Sequence, residues 1–190
     1  MFNRSERLFL RPAWPEDWHE IYSLINDREI VQNLATAPWP YSPEDAREFV
    51  SRSSQRQSFR PNFIVTLPQA AGGMIGSAGL IDGERGEVEL GYWIARDHWG
   101  KGFATEAVRA VLQVASALGH RKVIASHFSD NPASGRVLRK AGFRPTGERK
   151  ARYSRARGGD VPSCRYEILL GGPGDCEPFE DGDYYRPMAA

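Results

Sequence analysis

The chain has few cysteines, no charge of one sign in excess and no long apolar run. Cys164 and Cys176 are the two cysteines in 190 residues. Their spacing offers no disulfide framework and no set of metal ligands. Lysine and arginine number 25 against 24 aspartates and glutamates, a net charge of +1. That balance excludes a partner held by bulk charge, so neither nucleic acid nor a membrane surface is expected. No stretch approaches the ~20 apolar residues that a membrane span needs, and the first residues lack a signal-peptide core. No internal repeat is apparent. A reduced, cytoplasmic setting is the expectation, with no metal. What the chain does have is ordinary globular composition, 41% hydrophobic and 26% charged, at a length that suits one compact domain.

One stretch carries the strongest signal, Glu87 to Leu118. Val88, Leu90, Tyr92 and Ile94 alternate with Glu87, Glu89, Gly91 and Trp93, which predicts a strand with one apolar face. Ala104, Ala107, Val108, Val111, Leu112, Ala115 and Leu118 then recur at helical spacing and form one stripe. Gly119 closes that helix as a left-handed cap. Between strand and helix lies Trp99-Gly100-Lys101-Gly102-Phe103-Ala104. Its small residues let the backbone turn tightly and approach a ligand. The first amides of a helix have no partners within it and carry its positive end, so an anion can dock there. Taken alone, such a turn can equally be a connection that binds nothing.

The remaining elements follow in order. Arg7 to Pro12 alternates and ends on proline, which predicts a first strand. Pro15-Glu16-Asp17 opens a helix whose apolar side is Trp18, Ile21, Tyr22, Leu24 and Ile25. A short helical piece runs through Ile30, Val31 and Leu34. Ala37 to Tyr41 is too rich in proline for regular structure. Ser42 caps a helix with Pro43 and Asp45 in its first turn and Ala46, Phe49 and Val50 inside. Ser51 to Pro61 is a polar helix end and loop. Asn62 to Leu67 and Ala71 to Ile81 are strands, with Gly72-Gly73 near the turn between them. Asp82 to Gly86 is a hairpin loop into the central strand.

Beyond the long helix, Lys122 to Phe128 is a strand parallel to the central one through a right-handed crossover. Asn131-Pro132 starts a further helix, with Val137, Leu138 and Ala141 inward and Gly142 at its end. Arg144 to Arg157 is a basic strand followed by a loop, and Arg165 to Leu170 the last strand. Residues 1–170 form the expected domain. Residues 171–190 begin with a glycine-proline breaker and form an acidic extension.

This order of motifs resembles the GNAT superfamily of acyl-CoA-dependent N-acetyltransferases. It is similar in particular to the branch of bacterial ribosomal-protein (alanine/serine) N-terminal acetyltransferases. Four pieces carry the resemblance: Arg7-Leu8-x-Leu10-Arg11-Pro12, Pro38-Trp39-Pro40-Tyr41, the glycine turn, and Asn131-x-x-Ser134-x-x-Val137-Leu138-x-Lys140-x-Gly142-Phe143. Trp99 stands where Arg or Gln is usual in the superfamily. The resemblance implies an α/β (α+β) fold: a mixed, mostly antiparallel sheet with helices on both faces, splayed between the central strand and its parallel neighbour. It implies acetyl-CoA as co-substrate. The diphosphate is expected on the amides of Gly100, Lys101, Gly102, Phe103, Ala104 and Thr105. The pantetheine arm is expected along the backbone of Trp93, Ile94 and Ala95, with Asn131 either bonding that arm or serving as a helix cap.

The chemistry needs an amine to lose a proton and a thiolate to gain one. Glu89 has the parity to face the acceptor and serve as base or amine anchor. Its alternative is a salt-bridged strand face, as for Glu87. The tyrosine that many superfamily members carry is replaced by Leu138, so Ser134 becomes the candidate acid. Ser134 can equally bond its own helix. His127 and Tyr153 are further candidates. Trp39, Tyr41 and the basic segment Arg149 to Arg157 are candidate walls for the acceptor. Three functions are consistent with this reading: acetylation of a protein N-terminus, acetylation of a small amine such as an amino acid, polyamine or antibiotic, and a CoA-binding regulatory domain without turnover. A homodimer is compatible with the branch.

Overall fold

The computed structural model describes residues 1–55, 59–68 and 73–171. Cys176 and the acidic extension from residue 172 lie outside the described residues, as do Ala71 and Gly72. Eight strands form one sheet: β1 (Asn3–Arg4), β2 (Phe9–Pro12), β3 (Asn62–Thr66), β4 (Met74–Asp82), β5 (Val88–Ile94), β6 (Lys122–Phe128), β7 (Arg144–Ser154) and β8 (Gly159–Leu169). Five α-helices join them: α1 (Trp18–Ile25), α2 (Arg28–Val31), α3 (Pro43–Gln55), α4 (Phe103–Ala117) and α5 (Pro132–Lys140). The spatial order is β1-β2-β3-β4-β5-β6-β8-β7. Only β5 and β6 run parallel; the other neighbours are antiparallel. The expected mixed sheet is therefore observed.

Strand alternation divides the interior into two cores. Phe63, Val65, Leu90 and Ile94 face α4 and α5, joined by Val108, Val111 and Leu138. Ile64 and Trp93 point the other way, onto Ile21, Ile25, Ala46 and Val50 of α1 and α3. Local chemistry sets the helix starts. Ser42 and Asp45 form a reciprocal capping box, with Ser42 Oγ accepting from the Asp45 amide at 3.1 Å and Asp45 Oδ2 accepting from the Ser42 amide at 2.9 Å. Asn131 Oδ1 accepts from the Ser134 amide at 3.2 Å, with Pro132 at the first helical position. Gly119 and Gly142 end α4 and α5 with φ of +84° and +99°.

The structure departs from expectation at the edges. A two-residue β1 pairs with β2, too short to leave a pattern. The strand expected over Ala71–Ile81 is observed as Met74–Asp82. The last strand starts at Gly159 rather than Arg165, and forms with β7 a hairpin of two 11-residue strands. Gly159 and Pro162 are poor strand formers, yet the register against Ser154 and Ala151 holds them extended. No described helix is long and apolar enough to cross a membrane.

The feature that makes a site is the divergence of β5 from β6. Their register is a single pair, Glu89 with Ile124. Beyond it β5 continues toward Ile94 with β4 on one side and an opening on the other.

Candidate active site

A cavity of about 660 Å³ occupies that opening and reaches both faces of the sheet. At one end it meets the glycine turn. Gly100 and Gly102 have φ of +73° and +82°, the left-handed region that glycine enters without strain. Gly102 is also the N-cap residue of α4. The first intrahelical bond runs from the Glu106 amide to the Gly102 carbonyl at 3.1 Å. The amides of Gly100 through Thr105 find no protein acceptor among the described residues. The unpartnered N–H groups that line the cavity here, at the positive end of a 15-residue helix, are of the kind that can hold an oxyanion. These donors suit the diphosphate of acetyl-CoA. Gly100, Gly102, Phe103, Ala104 and Thr105 line the cavity; Lys101 does not, because its Nζ folds back onto the Asp97 carbonyl at 2.8 Å.

Along the opening, the Ala95 amide donates to the Ile75 carbonyl at 2.8 Å. Antiparallel alternation then turns the backbone of Trp93 and Ala95 toward β4 and that of Ile94 toward the gap. Ile94 is thus the member of the expected trio whose backbone N–H and carbonyl face the gap. Trp99, in the place usual for Arg or Gln, donates its indole Nε1 to the Ile94 carbonyl at 2.6 Å. A carbonyl keeps a second lone pair for another donor. Across the gap, Asn131 spends its Oδ1 on the α5 cap and retains its amide nitrogen.

Glu89 and Ser134 both line the cavity. Glu89 is 7% exposed and held by both nitrogens of the Arg152 fork, Nη1 to Oε1 and Nη2 to Oε2, the latter at 3.1 Å. Ser134 Oγ lies 2.7 Å from the Tyr92 hydroxyl, a bond that reaches from β5 to α5. Burial outweighs that bond and pushes the Tyr92 hydroxyl up to about 12, so it keeps its proton at neutral pH.

On the acceptor side, Tyr41 is buried in the wall, its hydroxyl raised to about 12 by burial and then by Asp45. Trp39 is 38% exposed and lies outside the cavity, before a cis bond to Pro40. Arg152 and Arg155 of the basic segment line the cavity, whereas Tyr153 faces away and is 59% exposed. His127 also touches the cavity, but it is wedged against Gly135, where a Cβ would meet its Nε2 at 2.7 Å. Leu138 is fully buried in the core. Glu87 pairs with Arg165 at 2.5 Å and lies away from the cavity. Cys164 is a free, half-buried thiol. Sequence reasoning missed Tyr92, and named Arg152 only as part of the segment Arg149 to Arg157, without its pairing with Glu89. Tyr92 belongs by alternation to the apolar face, which hides its hydroxyl. Arg152 is one of several cations in a basic run, and only the β7–β8 hairpin singles it out.

Sheet order and the parted parallel strands place this fold among acyl-CoA-dependent N-acyltransferases. Comparison with known proteins agrees. The acetyltransferase (GNAT) domain matches residues 7–144. The uncharacterized N-acetyltransferase p20 of Bacillus licheniformis is 30% identical over 87% of this chain and 94% of its own. The L-methionine sulfoximine/L-methionine sulfone acetyltransferase of Pseudomonas aeruginosa is 31% identical over 73% of this chain and 81% of its own. The ribosomal-protein-serine acetyltransferase of Escherichia coli is 26% identical over 73% and 80%. Among solved structures, a GNAT-family acetyltransferase of Bacillus anthracis superposes with a TM-score of 0.76 at 24% identity, over 89% of this chain and 98% of that one. Spermidine N-acetyltransferase of Vibrio cholerae, solved with CoA and spermine, gives 0.71 at 25% identity, over 87% and 97%. The chain belongs to the GNAT acetyltransferase family, and is an acetyl-CoA-dependent N-acetyltransferase.

Proposed function

We propose that the acceptor is an α-amino group, that of the first residue of a polypeptide, and that it attacks directly while both substrates are bound. The observation that carries the reading is one cavity bounded by the free amides of the glycine turn, the edge of β5 at Ile94 with no described strand beside it and the buried carboxylate of Glu89. Acetyl-CoA supplies the activated acyl group as a thioester. The amides of Gly100 to Thr105 hold its diphosphate, the backbone of Ile94 and the Asn131 amide orient its arm, and Asn131 caps α5 with its other atom.

Glu89 is the base or the anchor of the amine. Arg152 occupies one lone pair on each carboxylate oxygen and fixes the side chain. A carboxylate has about four such positions, so Glu89 can still accept from the amine or from a water. Ser134 directs its hydroxyl at the departing sulfur, and the Tyr92 hydroxyl holds Ser134 Oγ from behind. Tyr41 and Arg155 wall the acceptor, with Trp39 at the rim.

Two features favour an α-amine over a polyamine. Apart from Glu89, which receives the reacting amine, the carboxylates that line the cavity are engaged, Glu29 with Arg96 at 3.1 Å and Asp45 in its capping box, so among the described residues no further lining carboxylate is left for a distal ammonium. Arg155 faces the same space with no carboxylate partner among the described residues. Such a mouth suits an amine that is followed by a carbonyl or carboxylate. A free amino-acid derivative is the second reading, favoured by the Pseudomonas aeruginosa relative. Thiol release from acetyl-CoA, measured with short peptides, free amino acids including methionine sulfoximine, and spermidine, tests the choice. Peptides turned over fastest support the first reading. Spermidine turned over fastest refutes both.

A further inference from the structure

Arg7 heads the Arg7-Leu8-x-Leu10-Arg11-Pro12 motif and lies beside the glycine turn. We infer that Arg7 is a positioning residue for the diphosphate turn, resting on the reading of that turn given above. Arg7 reaches the turn from the segment that leads into β2. Its Nη1 donates to the Lys101 carbonyl at 3.0 Å. Its Nε and Nη2 both meet Glu106 Oε2, at 2.8 and 2.7 Å, and its own amide donates to Glu106 Oε1 at 2.7 Å. The guanidinium also lies over the Phe103 ring, 4.6 Å from its centroid.

Two consequences follow. In a trans peptide the carbonyl of one residue and the N–H of the next point in opposite directions. Tying the Lys101 carbonyl to Arg7 therefore turns the Gly102 N–H the other way, and Gly102 lines the cavity. Glu106, in the first turn of α4, would otherwise set a negative charge beside the anion it must tolerate. Burial alone would push its carboxyl up. The Arg7 amide, the Ser5 hydroxyl and the Arg7 guanidinium together outweigh burial and hold it below the usual carboxylate range. Glu106 therefore stays ionised, and Arg7 balances it. One side chain thus orients a donor and cancels a repulsion.

The test compares coenzyme A with pantetheine, which has the arm and no diphosphate. Calorimetry reads the first; amide NMR shifts at millimolar concentration read the second. Arg7→Met should weaken coenzyme A about tenfold or more, the scale of one lost charge-assisted bond, and leave pantetheine unchanged. Arg7→Lys keeps the charge without the fork and should fall between. Glu106→Gln should bind coenzyme A as tightly as the unaltered chain, or tighter. Equal losses of coenzyme A and pantetheine in Arg7→Met would make Arg7 a general brace and overturn the inference. So would undiminished coenzyme A binding in Arg7→Met, or weaker binding in Glu106→Gln. If Arg7→Met does not fold, Arg7→Lys and Glu106→Gln still decide. An unaltered chain that binds no coenzyme A refutes the underlying turn assignment, and that control separates the two failures.

Discussion

Gly102→Val is the sharpest perturbation of the turn. Gly102 sits at φ +82°. An L-residue there costs about 1–2 kcal/mol, and a β-branched one more. A collision contributes less, because the nearest atom to an added Cβ is Arg7 Nη2 at 3.4 Å, the far end of a flexible side chain. Backbone strain therefore dominates. The chain can relieve it only by rotating the 101–102 peptide, which withdraws the Gly102 amide from the anion. A hydrogen bond to a charged group contributes about 1.5–3 kcal/mol. Because rotation relieves the strain as it removes the donor, the two do not add: binding either restores the strain or goes without the bond, at about 1.5–3 kcal/mol, which is about ten- to a hundredfold in dissociation constant. Calorimetric titration with coenzyme A measures it, and thermal unfolding confirms that the variant is folded. Gly102→Ala, with the left-handed penalty of about 1–2 kcal/mol and no β-branching, should lose about five- to thirtyfold. Gly100→Ala, with φ +73° and nothing within 4 Å of an added Cβ, isolates the strain at the neighbouring bend. Folded Gly102→Val binding coenzyme A within about threefold of the unaltered chain would refute the reasoning.

Glu89→Gln should lower the rate of thiol release and flatten its rise with pH while coenzyme A affinity stays nearly intact; an unchanged pH–rate curve would remove Glu89 as base. Tyr92 and Tyr41 are raised from 10.0 to about 12, so the folded state keeps protons that the unfolded chain loses. Their stabilisation is full below pH 10 and is lost as pH rises toward 12; tyrosinate absorbance should show a late-titrating class, and Tyr92→Phe should remove one member of it and slow turnover. Arg11 and Asp17 form a buried pair through two 2.7 Å bonds, with 8% and 7% exposure. Asp17→Ala strands the arginine and should cost about 3–5 kcal/mol, a fall in Tm of at least about 6 °C.

The parts of the fold that were legible are those whose signal is local. The α4 stripe and the β5 alternation are periodicities of neighbouring residues, and both recur in the two cores. Ser42 with Asp45, and Asn131 with Pro132, are caps whose partners lie within three residues. What stayed hidden depends on distant pairing. Glu89 and Arg152 are 63 residues apart, and meet because β8 returns beside β6 and carries β7 with it. Arg7 and Glu106 are 99 apart. The early start of β8 is imposed by its partner strand rather than by its own residues. The site divides the same way. The tight turn at Gly102 is local and could be read as a turn, though only the resemblance gave it a ligand, whereas the Tyr92–Ser134 bond requires knowing that β5 and α5 face each other across the gap. Trp39 shows the converse, an aromatic in a suggestive motif that stands outside the cavity.

A crystal structure of the chain with coenzyme A bound tests the central claim most directly. The account predicts the diphosphate within hydrogen-bond distance of amides between Gly100 and Thr105, and the sulfur between Ser134 and Glu89. A diphosphate seated elsewhere, with those amides still unpartnered, would contradict it.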